Sequence, residues 1–399
     1  MNGEFMDDEF KVITDRVFRA NPLYDLVLFD RLAKLDQEAL RDLRKSADFF
    51  GVLISREGSG LGSKAATRDT ALLFFTLRES GAIPAYVRDI AGDRANREIA
   101  ELVLDGVLEI EEGGEFVSGP KALRIVRRDR VRAAGGALAR VSEAALRYGQ
   151  QLDIPEATKL AARMYFFNRI PAARRWRDQF PNPQAVAEYL GVDSPACKTI
   201  LQRDWSRMDA PGGQDGWLIW RSRSLSRRSD SRATFKLYIS PRCQDLPEVF
   251  RTVVETLPCE TATNFKAGNS MFGLLRPDKL IVYFSNLADL RQVGELLGSR
   301  LHGYPAHGVP FTSELSHDGL LSWGLDPPRN THLISWQERE SWRVWVANRL
   351  ATYLLLAKSE GLSTLEPWMF ALERLRCEGV DTDDWTPSES LWRSEDEHA

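Results

Sequence analysis

Cysteine and histidine are scarce in this 399-residue chain. The four cysteines are scattered, with no C-x-x-C pair and no spacing that suits a metal ion. The five histidines do not pair at ligand spacing on any predicted helix. The sequence therefore predicts no metal site and no cofactor, and it favours a protein of a reducing compartment.

Long hydrophobic runs are also absent. No apolar stretch approaches the length of a membrane span. The first ten residues, MNGEFMDDEF, are acidic and lack the apolar core of a signal peptide. The net charge of −4 does not favour binding of the whole chain to nucleic acid or to an anionic membrane. We expect a cytoplasmic protein with no membrane partner.

Common enzyme signatures are missing as well. The chain has no G-x-G-x-x-G after a strand, no P-loop, no G-x-S-x-G and no H-E-x-x-H. Its charge is nevertheless uneven, since residues 118–177 carry 14 Lys and Arg against 4 acids. From Glu360 onwards there are 11 acids against 3 Arg. These regions either steer a charged partner or form two solvated faces.

The pattern of the chain predicts an α+β protein in four parts. Helical spacing of apolar residues indicates a helical segment over 1–48 and a basic helical connector over 119–210. Residues 49–118 predict a winged-helix-like module. Alternating strands and amphipathic helices predict a mixed α+β domain over 211–399, with Pro211-Gly212-Gly213 as its boundary.

The module at 49–118 begins with a strand, FGVLISREGSG, followed by a helix that Thr67 or Asp69 can cap. Two further helices and a hairpin around Glu112-Gly113-Gly114 complete the layout of a winged helix. The third helix, Asp93–Leu104, would be the DNA-recognition helix. Its three acids against two Arg suit a phosphate backbone poorly, so nucleic acid is not an expected partner.

Two stretches of this module resemble the PqqD-like peptide-recognition module. They are the strand-turn FGVLISREGSGLGSKAATRDTALLFFTLRESG and the ending LVLDGVLEIE. The resemblance implies that a leader peptide adds to a sheet edge and lies in a groove beside a helix. It assigns peptide pairing to the strand at 50–55 and the groove to the helix at 93–104. The peptide-binding residues would be Phe50, Val52, Leu53, Ile54, Arg94 and Arg97.

The basic connector holds an aromatic cluster, Tyr165, Phe166 and Phe167, and the run Arg174-Arg175-Trp176-Arg177. Cations interleaved with aromatic rings can bind nucleic acid or a phosphopeptide. The other interpretation is that the rings belong to the core while the Arg side chains reach into solvent.

Several cations occur on or beside predicted strands of the C-terminal half. Lys236 lies in TFKLYIS, Lys266 in NFKAG, and Arg276 and Lys279 in LRPDKLIVYF; Arg228, Arg232 and Arg242 lie in flanking loops. Converging cations would form a phosphate site, and a desolvated Lys among them could act as a general base. The alternative is local pairing, for example of Arg276 or Lys279 with Asp278.

Six blocks of the C-terminal half resemble the HopA-like effector family. They are FKLYIS, NFKAG, LLRPDKLIVYF, VPFTSEL, GLLSWGLDPP and the closing SW…RVWVANRLATYLL. That family includes lyases of lanthipeptide pathways and is similar to phosphothreonine lyases. The resemblance implies catalytic roles for Lys266 and Lys236. It places Arg276 and Asp278 on charged positions of the family and Arg349 on its terminal helix. Together with the converging cations described above, the expected phosphate-binding residues are Arg276, Lys279, Arg232, Arg242 and Arg349. The chain keeps Asp326-Pro327 but lacks the acid expected before it.

Together these resemblances predict an enzyme of ribosomal-peptide maturation that eliminates phosphate from an activated Ser or Thr. The expected partners are a precursor peptide and a kinase or another modifying enzyme. Two alternatives stay open: a non-catalytic peptide-binding adaptor, and a winged-helix DNA-binding regulator.

Overall fold

The computed structural model describes residues 10–41, 44, 47–56, 62–92, 95–128, 135–208, 216–224, 234–327, 340–360 and 365–387. Within these residues the protein has the predicted α+β class, with helices, several sheets and short 3-10 turns. No helix in the described ranges is long and apolar enough to cross a membrane.

The strands are β1 (Val17–Ala20), β2 (Tyr24–Leu28), β3 (Phe49–Ser55), β4 (Lys64–Thr67), β5 (Gly81–Ala82), β6 (Leu108–Glu112), β7 (Glu115–Val117), β8 (Trp205–Met208), β9 (Trp217–Ser222), β10 (Phe235–Ile239), β11 (Ala262–Gly268), β12 (Leu280–Phe284), β13 (Ser313–Glu314), β14 (Leu321–Leu325), β15 (Val380–Asp381) and β16 (Thr386–Pro387).

The α-helices are α1 (Lys34–Ala39), α2 (Arg68–Thr76), α3 (Ala85–Ala91), α4 (Ala95–Leu104), α5 (Leu123–Val126), α6 (Ala137–Gln151), α7 (Ala157–Tyr165), α8 (Arg174–Gln179), α9 (Pro183–Leu190), α10 (Pro195–Asp204), α11 (Leu246–Thr256), α12 (Met271–Leu274), α13 (Leu287–Arg300), α14 (Trp342–Glu360) and α15 (Pro367–Cys377).

The prediction of a helical segment over 1–48 is wrong for residues 17–28, which form β1 and β2. The apolar spacing of such short segments fits a helix or a strand, and a distant partner decides between them. Phe18 of β1 pairs with Ile110 of β6, and Leu26 of β2 pairs with Leu53 of β3. Pro22, between the two strands, marks the turn that the helical interpretation overlooked.

The strand predicted to pair with a peptide is the central strand of a three-stranded sheet. The order is β2–β3–β4, so β3 uses its backbone on both sides, and Leu53 pairs with Leu26 and with Lys64. Val52 and Leu53 are buried in small apolar clusters on the two faces. The assignment of peptide pairing to β3 is therefore wrong, because no edge is left to receive a peptide.

The predicted groove helix, α4, packs against the C-terminal helix α15. Arg97 Nη2 donates a hydrogen bond of 2.7 Å to the carbonyl oxygen of Cys377, and Arg97 Nε bonds Glu101 at 3.1 Å. The assignment of Arg97 to peptide binding is wrong in this arrangement, because its guanidinium holds two elements together. Arg94 lies outside the described residues.

A seven-stranded antiparallel sheet organises the second half of the chain. Its order is β13–β14–β10–β12–β11–β9–β8, so it begins before residue 211. One face carries Leu237, Phe265 and Val282, which pack with helices α9, α10, α11 and α13 in a continuous apolar core. The opposite face carries the polar side chains described below.

A second core joins the two ends of the chain. It combines residues of α4, β6, α6 and α7 with Trp342 and Leu350 of α14 and Phe370 of α15. Helices α14 and α15 follow the seven-stranded sheet in the chain, but they pack in the core of the N-terminal half. The predicted domain boundaries stay predictions.

Candidate functional site

The register of the seven-stranded sheet places Lys236, Lys266 and Tyr283 on one face. Lys236 of β10 lies opposite Tyr283 of β12, and Lys266 of β11 lies opposite Ile281. Side chains two residues apart on a strand share a face, so Ile281 and Tyr283 point the same way. Trp217 shares this face through β9, whose Ile219 pairs with Lys266.

Lys266 is half-buried between two aromatic rings. Its Nζ lies 4.2 Å from the ring centroid of Trp217 and 5.5 Å from that of Tyr283. In the described part of the chain this ammonium has neither a hydrogen bond nor an ion pair. Burial, reinforced by the like charge of Lys236, lowers the pKa of Lys266 to about 8. A large share of this amine is therefore neutral at slightly alkaline pH.

Lys236 has an ion-pair partner, unlike Lys266. It is buried, and its Nζ lies 2.5 Å from Asp326 Oδ2. The other oxygen of Asp326 accepts a hydrogen bond of 2.8 Å from the backbone N–H of Trp342, at the start of α14. Gly324, opposite Lys236 on β14, leaves room for the Trp342 ring, which a Cβ at that position would overlap. This pairing holds the Lys236 ammonium in a fixed position.

A buried carboxylate, Asp278, holds three side chains together at this face. Arg276 contacts it with two nitrogens, at 2.8 Å and 2.7 Å, and Arg343 Nη1 of α14 lies 2.7 Å from Oδ2. The hydroxyl of Tyr165 donates to Oδ2 at 3.0 Å and accepts from Arg276 at 2.7 Å. Although burial alone would raise it, Arg343 and Arg276 hold the pKa of Asp278 well below its ordinary value.

Arg276 contacts the same aromatic ring as Lys266. Its Cζ lies 5.0 Å from the ring centroid of Trp217, the ring that Lys266 also contacts. Burial and then Asp278 raise the pKa of Tyr165 to about 12, so its hydroxyl stays protonated. Four cations meet two carboxylates here, which leaves an excess of positive charge: Lys236, Lys266, Arg276 and Arg343 against Asp278 and Asp326.

Lys279 does not join this group. It is fully buried, and its Nζ lies 2.8 Å from the Pro241 carbonyl oxygen and 2.8 Å from His307 Nδ1. The other ring nitrogen of His307 donates to the backbone oxygen of Asn168. Burial lowers the pKa of Lys279 to about 7 and that of His307 to about 3. The position of Lys279 corrects its predicted role in phosphate binding, because its amine is satisfied inside the protein.

Neither Arg349 nor Arg242 contacts Lys266 in the described part of the chain. Arg349 Nε contacts Glu378 Oε2 at 2.6 Å, and its guanidinium stacks on Trp345. It therefore belongs to a charge cluster between α14 and α15, and its predicted role at the phosphate is wrong. Arg242 is exposed beside the bridge between Pro241 and Ala306. Arg232, like Arg228, lies outside the described residues.

The sequence analysis gave no site role to four residues that the structure places here: Tyr165, Trp217, Tyr283 and Arg343. Tyr165 and Arg343 approach Asp278 from helices 113 and 65 residues away in the chain, a distance that no local pattern reports. For Trp217 and Tyr283 the signal was present, since alternation along a strand places each on the face of the nearest Lys. The interpretation of Arg276 as a partner of Asp278 is correct, and it coexists with the cation cluster.

No protein-family model matches the chain, and no curated protein matches it. Solved structures with similar regions include two effector proteins of Pseudomonas syringae. The one from pathovar tomato strain DC3000 has 15% identity, covers 63% of this chain and 97% of its own, and has a TM-score of 0.37. The one from pathovar syringae strain 61 has 14% identity, 62% and 96% coverage, and a TM-score of 0.35. A phosphothreonine lyase from Salmonella has 15% identity, 51% and 98% coverage, and a TM-score of 0.28. These scores are too low to assign a fold or a function.

Proposed function

We propose that this protein is a lyase that eliminates phosphate from a phosphoserine or phosphothreonine of a ribosomally made precursor peptide. One observation carries the proposal: Lys266 has a pKa lowered to about 8 and no hydrogen bond or ion pair among the described residues. It stands beside two further cations, Lys236 and Arg276. An amine of this kind can accept a proton near neutral pH.

The chemistry of β-elimination uses these groups in distinct roles. Neutral Lys266 takes the Cα proton, and the electron pair of that C–H bond forms the Cα=Cβ double bond. The Cβ–O bond breaks, and the phosphate leaves with the bonding electrons. The phosphate gains a proton while Lys266 returns its own, so protons balance over the cycle. Negative charge that develops on the peptide carbonyl is stabilised by the ammonium of Lys236, which Asp326 holds in place.

The excess positive charge supports binding of a phosphate dianion at this face. Arg276 is oriented by Asp278 and Tyr165 through Nε and Nη2, which leaves its Nη1 without a hydrogen bond among the described residues. A guanidinium held in this way can donate to a phosphate oxygen with little loss of side-chain entropy. The sequence resemblance to HopA-like lyases places Lys236, Lys266 and Arg276 on the family's charged positions, which supports the same reaction.

A precursor peptide as the substrate rests on the PqqD-like pattern of residues 49–118. In the described part of the chain β4 pairs only with β3, so β4 is an edge strand. An edge strand can accept an extended peptide by backbone hydrogen bonding. We therefore move the proposed peptide-pairing role from β3 to β4.

A second candidate function is a phosphopeptide-binding adaptor without turnover. The bidentate contact between Arg276 and Asp278 favours it, because a paired Arg has less charge to offer a leaving phosphate. The adaptor and the lyase differ only in whether Lys266 removes a proton.

The deciding experiment measures phosphate release and mass loss from synthetic phosphoserine and phosphothreonine peptides. Lys266→Arg keeps the positive charge but cannot act as a base, because Arg stays protonated. We expect it to lower turnover by about 10²- to 10⁴-fold, the usual contribution of a general base. Phosphopeptide affinity, measured by fluorescence anisotropy, should stay within a few-fold of the wild type.

Lys198→Ala is the matched control, since Lys198 is exposed on α10, outside the site. It should turn over like the wild type. Unchanged elimination by Lys266→Arg would rule out Lys266 as the base. Tight phosphopeptide binding without release from any peptide would favour the adaptor.

A further inference from the structure

A row of alternating cations and aromatic rings leads away from Lys266. Arg276 Cζ lies 5.7 Å from the ring centroid of Phe166, and Arg169 Cζ lies 5.5 Å from that same ring. Arg169 also lies 5.0 Å from the ring of Phe272. The complete order is Lys266, Trp217, Arg276, Phe166, Arg169 and Phe272.

The far end of this row is held rigidly. Arg169 Nη2 donates a hydrogen bond of 2.8 Å to the carbonyl oxygen of Phe272. Ser270 caps α12 by accepting from the N–H of Gly273 at 3.1 Å. A Cβ on Gly268 would lie 2.5 Å from the carbonyl carbon of Gly273, so only glycine lets α12 fold back against the end of β11. Phe272 is thus placed by the same strand that carries Lys266.

Beyond Phe272 lies a cavity of about 330 Å³. Its walls are mainly apolar, and they include Met271, Phe272, Phe180, Pro181 and Pro183, with Arg177 at one side. This volume is at the lower end of the range for ligand pockets, and it accommodates one large apolar side chain.

The surface around the cavity has the character of a binding site. Phe272, which lines the cavity, is 57% exposed, and Phe166, which contacts the same Arg169, is 42% exposed. Exposed aromatic rings that adjoin a pocket are typical of contact surfaces. Arg177 donates to the Ala172 carbonyl oxygen and has no ion pair with any described acid, so its charge is available to an acidic ligand.

We infer that this cavity is a specificity subsite, which receives a bulky apolar side chain close in sequence to the phosphorylated residue, with Arg177 favouring an acidic residue beside it. The inference rests on the proposed function for the identity of the reacting residue. The continuous row from Lys266 to Phe272 supports it, because a peptide whose phosphate lies at Lys236, Lys266 and Arg276 would extend along that row. The basic residues on this path match an acidic phosphopeptide in charge.

The test compares phosphoserine peptides that differ only in carrying Phe or Ala at one position, scanned over three residues on either side. We expect one position at which Phe raises kcat/KM by about 10- to 100-fold, the range for filling an apolar pocket. Phe272→Ala should reduce this ratio to near one, chiefly through a higher KM for the Phe peptide. Leu296→Ala, which removes an exposed apolar side chain from α13, should keep the ratio.

Binding of the same peptides, measured by anisotropy, separates this inference from the proposed reaction. If no peptide is eliminated but Phe strengthens binding and Phe272→Ala abolishes that gain, the subsite stands and the lyase fails. Equal affinity for the Phe and Ala peptides at every position, or a preference that Phe272→Ala leaves intact, would overturn the subsite.

Discussion

Two lysines with lowered pKa values lie in this sheet region, and they differ in access rather than in charge. Lys279 is fully buried and bonds to His307 and to a backbone carbonyl, whereas Lys266 is half-buried and has no such partners among the described residues. A perturbed pKa marks a functional candidate only where a substrate can reach the group. For this reason Lys266, and not Lys279, is the residue on which the proposed reaction depends.

The pH dependence of elimination follows from the charge on Lys266. A general base works in its deprotonated form, so kcat/KM should rise with pH and level off above about 8, the pKa of Lys266. The charge of Lys236 lowers the pKa of Lys266, and that of Asp326 raises it. Lys236→Met removes the first charge and leaves Asp326 unpaired, so the pKa of Lys266 should rise. The rise of kcat/KM with pH should therefore occur at higher pH, as measured in rate profiles between pH 6 and 10.

For the Lys198→Ala variant, kcat/KM should rise over the same pH range as for the wild type. The substrate phosphate also titrates, with a second pKa near about 6, which separates its limb from that of the lysine. A Lys236→Met profile that coincides with the wild type, or moves to lower pH, would contradict electrostatic coupling between the two lysines.

At the scale of elements, local pattern predicted the strands but not their neighbours. The strand at 234–240 corresponds to β10, and that at 279–284 corresponds to β12, because alternation of apolar residues is a local property. Thr67 caps α2 as predicted, since it accepts from the backbone N–H of Thr70. Sheet order depends on contacts between distant residues, and the sequence could not show that β3 is central and β4 lies at an edge.

The same limit explains which parts of the candidate site were predictable. Lys236 and Lys266 lie on strands that alternation identifies, so their shared face could be inferred. Lys279 sits at the start of β12, where its side chain meets His307 from a loop 28 residues later. Only the three-dimensional arrangement shows that this lysine is enclosed while Lys266 is reachable.

The edge position of β4 makes the peptide-binding proposal testable. A precursor peptide that serves as the substrate should pair with residues 64–67 and slow the hydrogen exchange of their backbone amides. The amides of β3 should change little, because both sides of that strand are already paired. Hydrogen-exchange mass spectrometry with and without the peptide measures both segments in one experiment.

A scrambled peptide of the same composition is the control, and it should leave residues 64–67 unprotected. Protection confined to another part of the chain would show that the peptide binds elsewhere and would remove the basis for the PqqD-like role.

At the scale of the whole molecule, the two ends of the chain share one core. Helix α14 supplies Arg343 to the carboxylate of Asp278 and Trp342 to the core that contains α4 and β6. Helix α15 extends that contact, because Arg374 holds Asp105, the residue that follows α4, through two nitrogens at 2.8 Å and 3.0 Å. The site face and the segment that contains α4 and β6 are therefore joined through the same pair of helices.

This connection predicts a large effect for one buried ion pair. Arg374 is 4% exposed, so Arg374→Met would leave Asp105 without its charge partner and should lower the free energy of unfolding by about 3–5 kcal/mol. The double variant Asp105→Asn, Arg374→Met removes both charges and should be less destabilised than the single one. Arg251→Met, which breaks exposed pairs on α11, should cost at most about 1 kcal/mol. Urea unfolding followed by tryptophan fluorescence measures the stability of all three variants. If the double variant is no more stable than Arg374→Met, then packing of the Arg374 side chain, rather than its charge, joins the two ends of the chain.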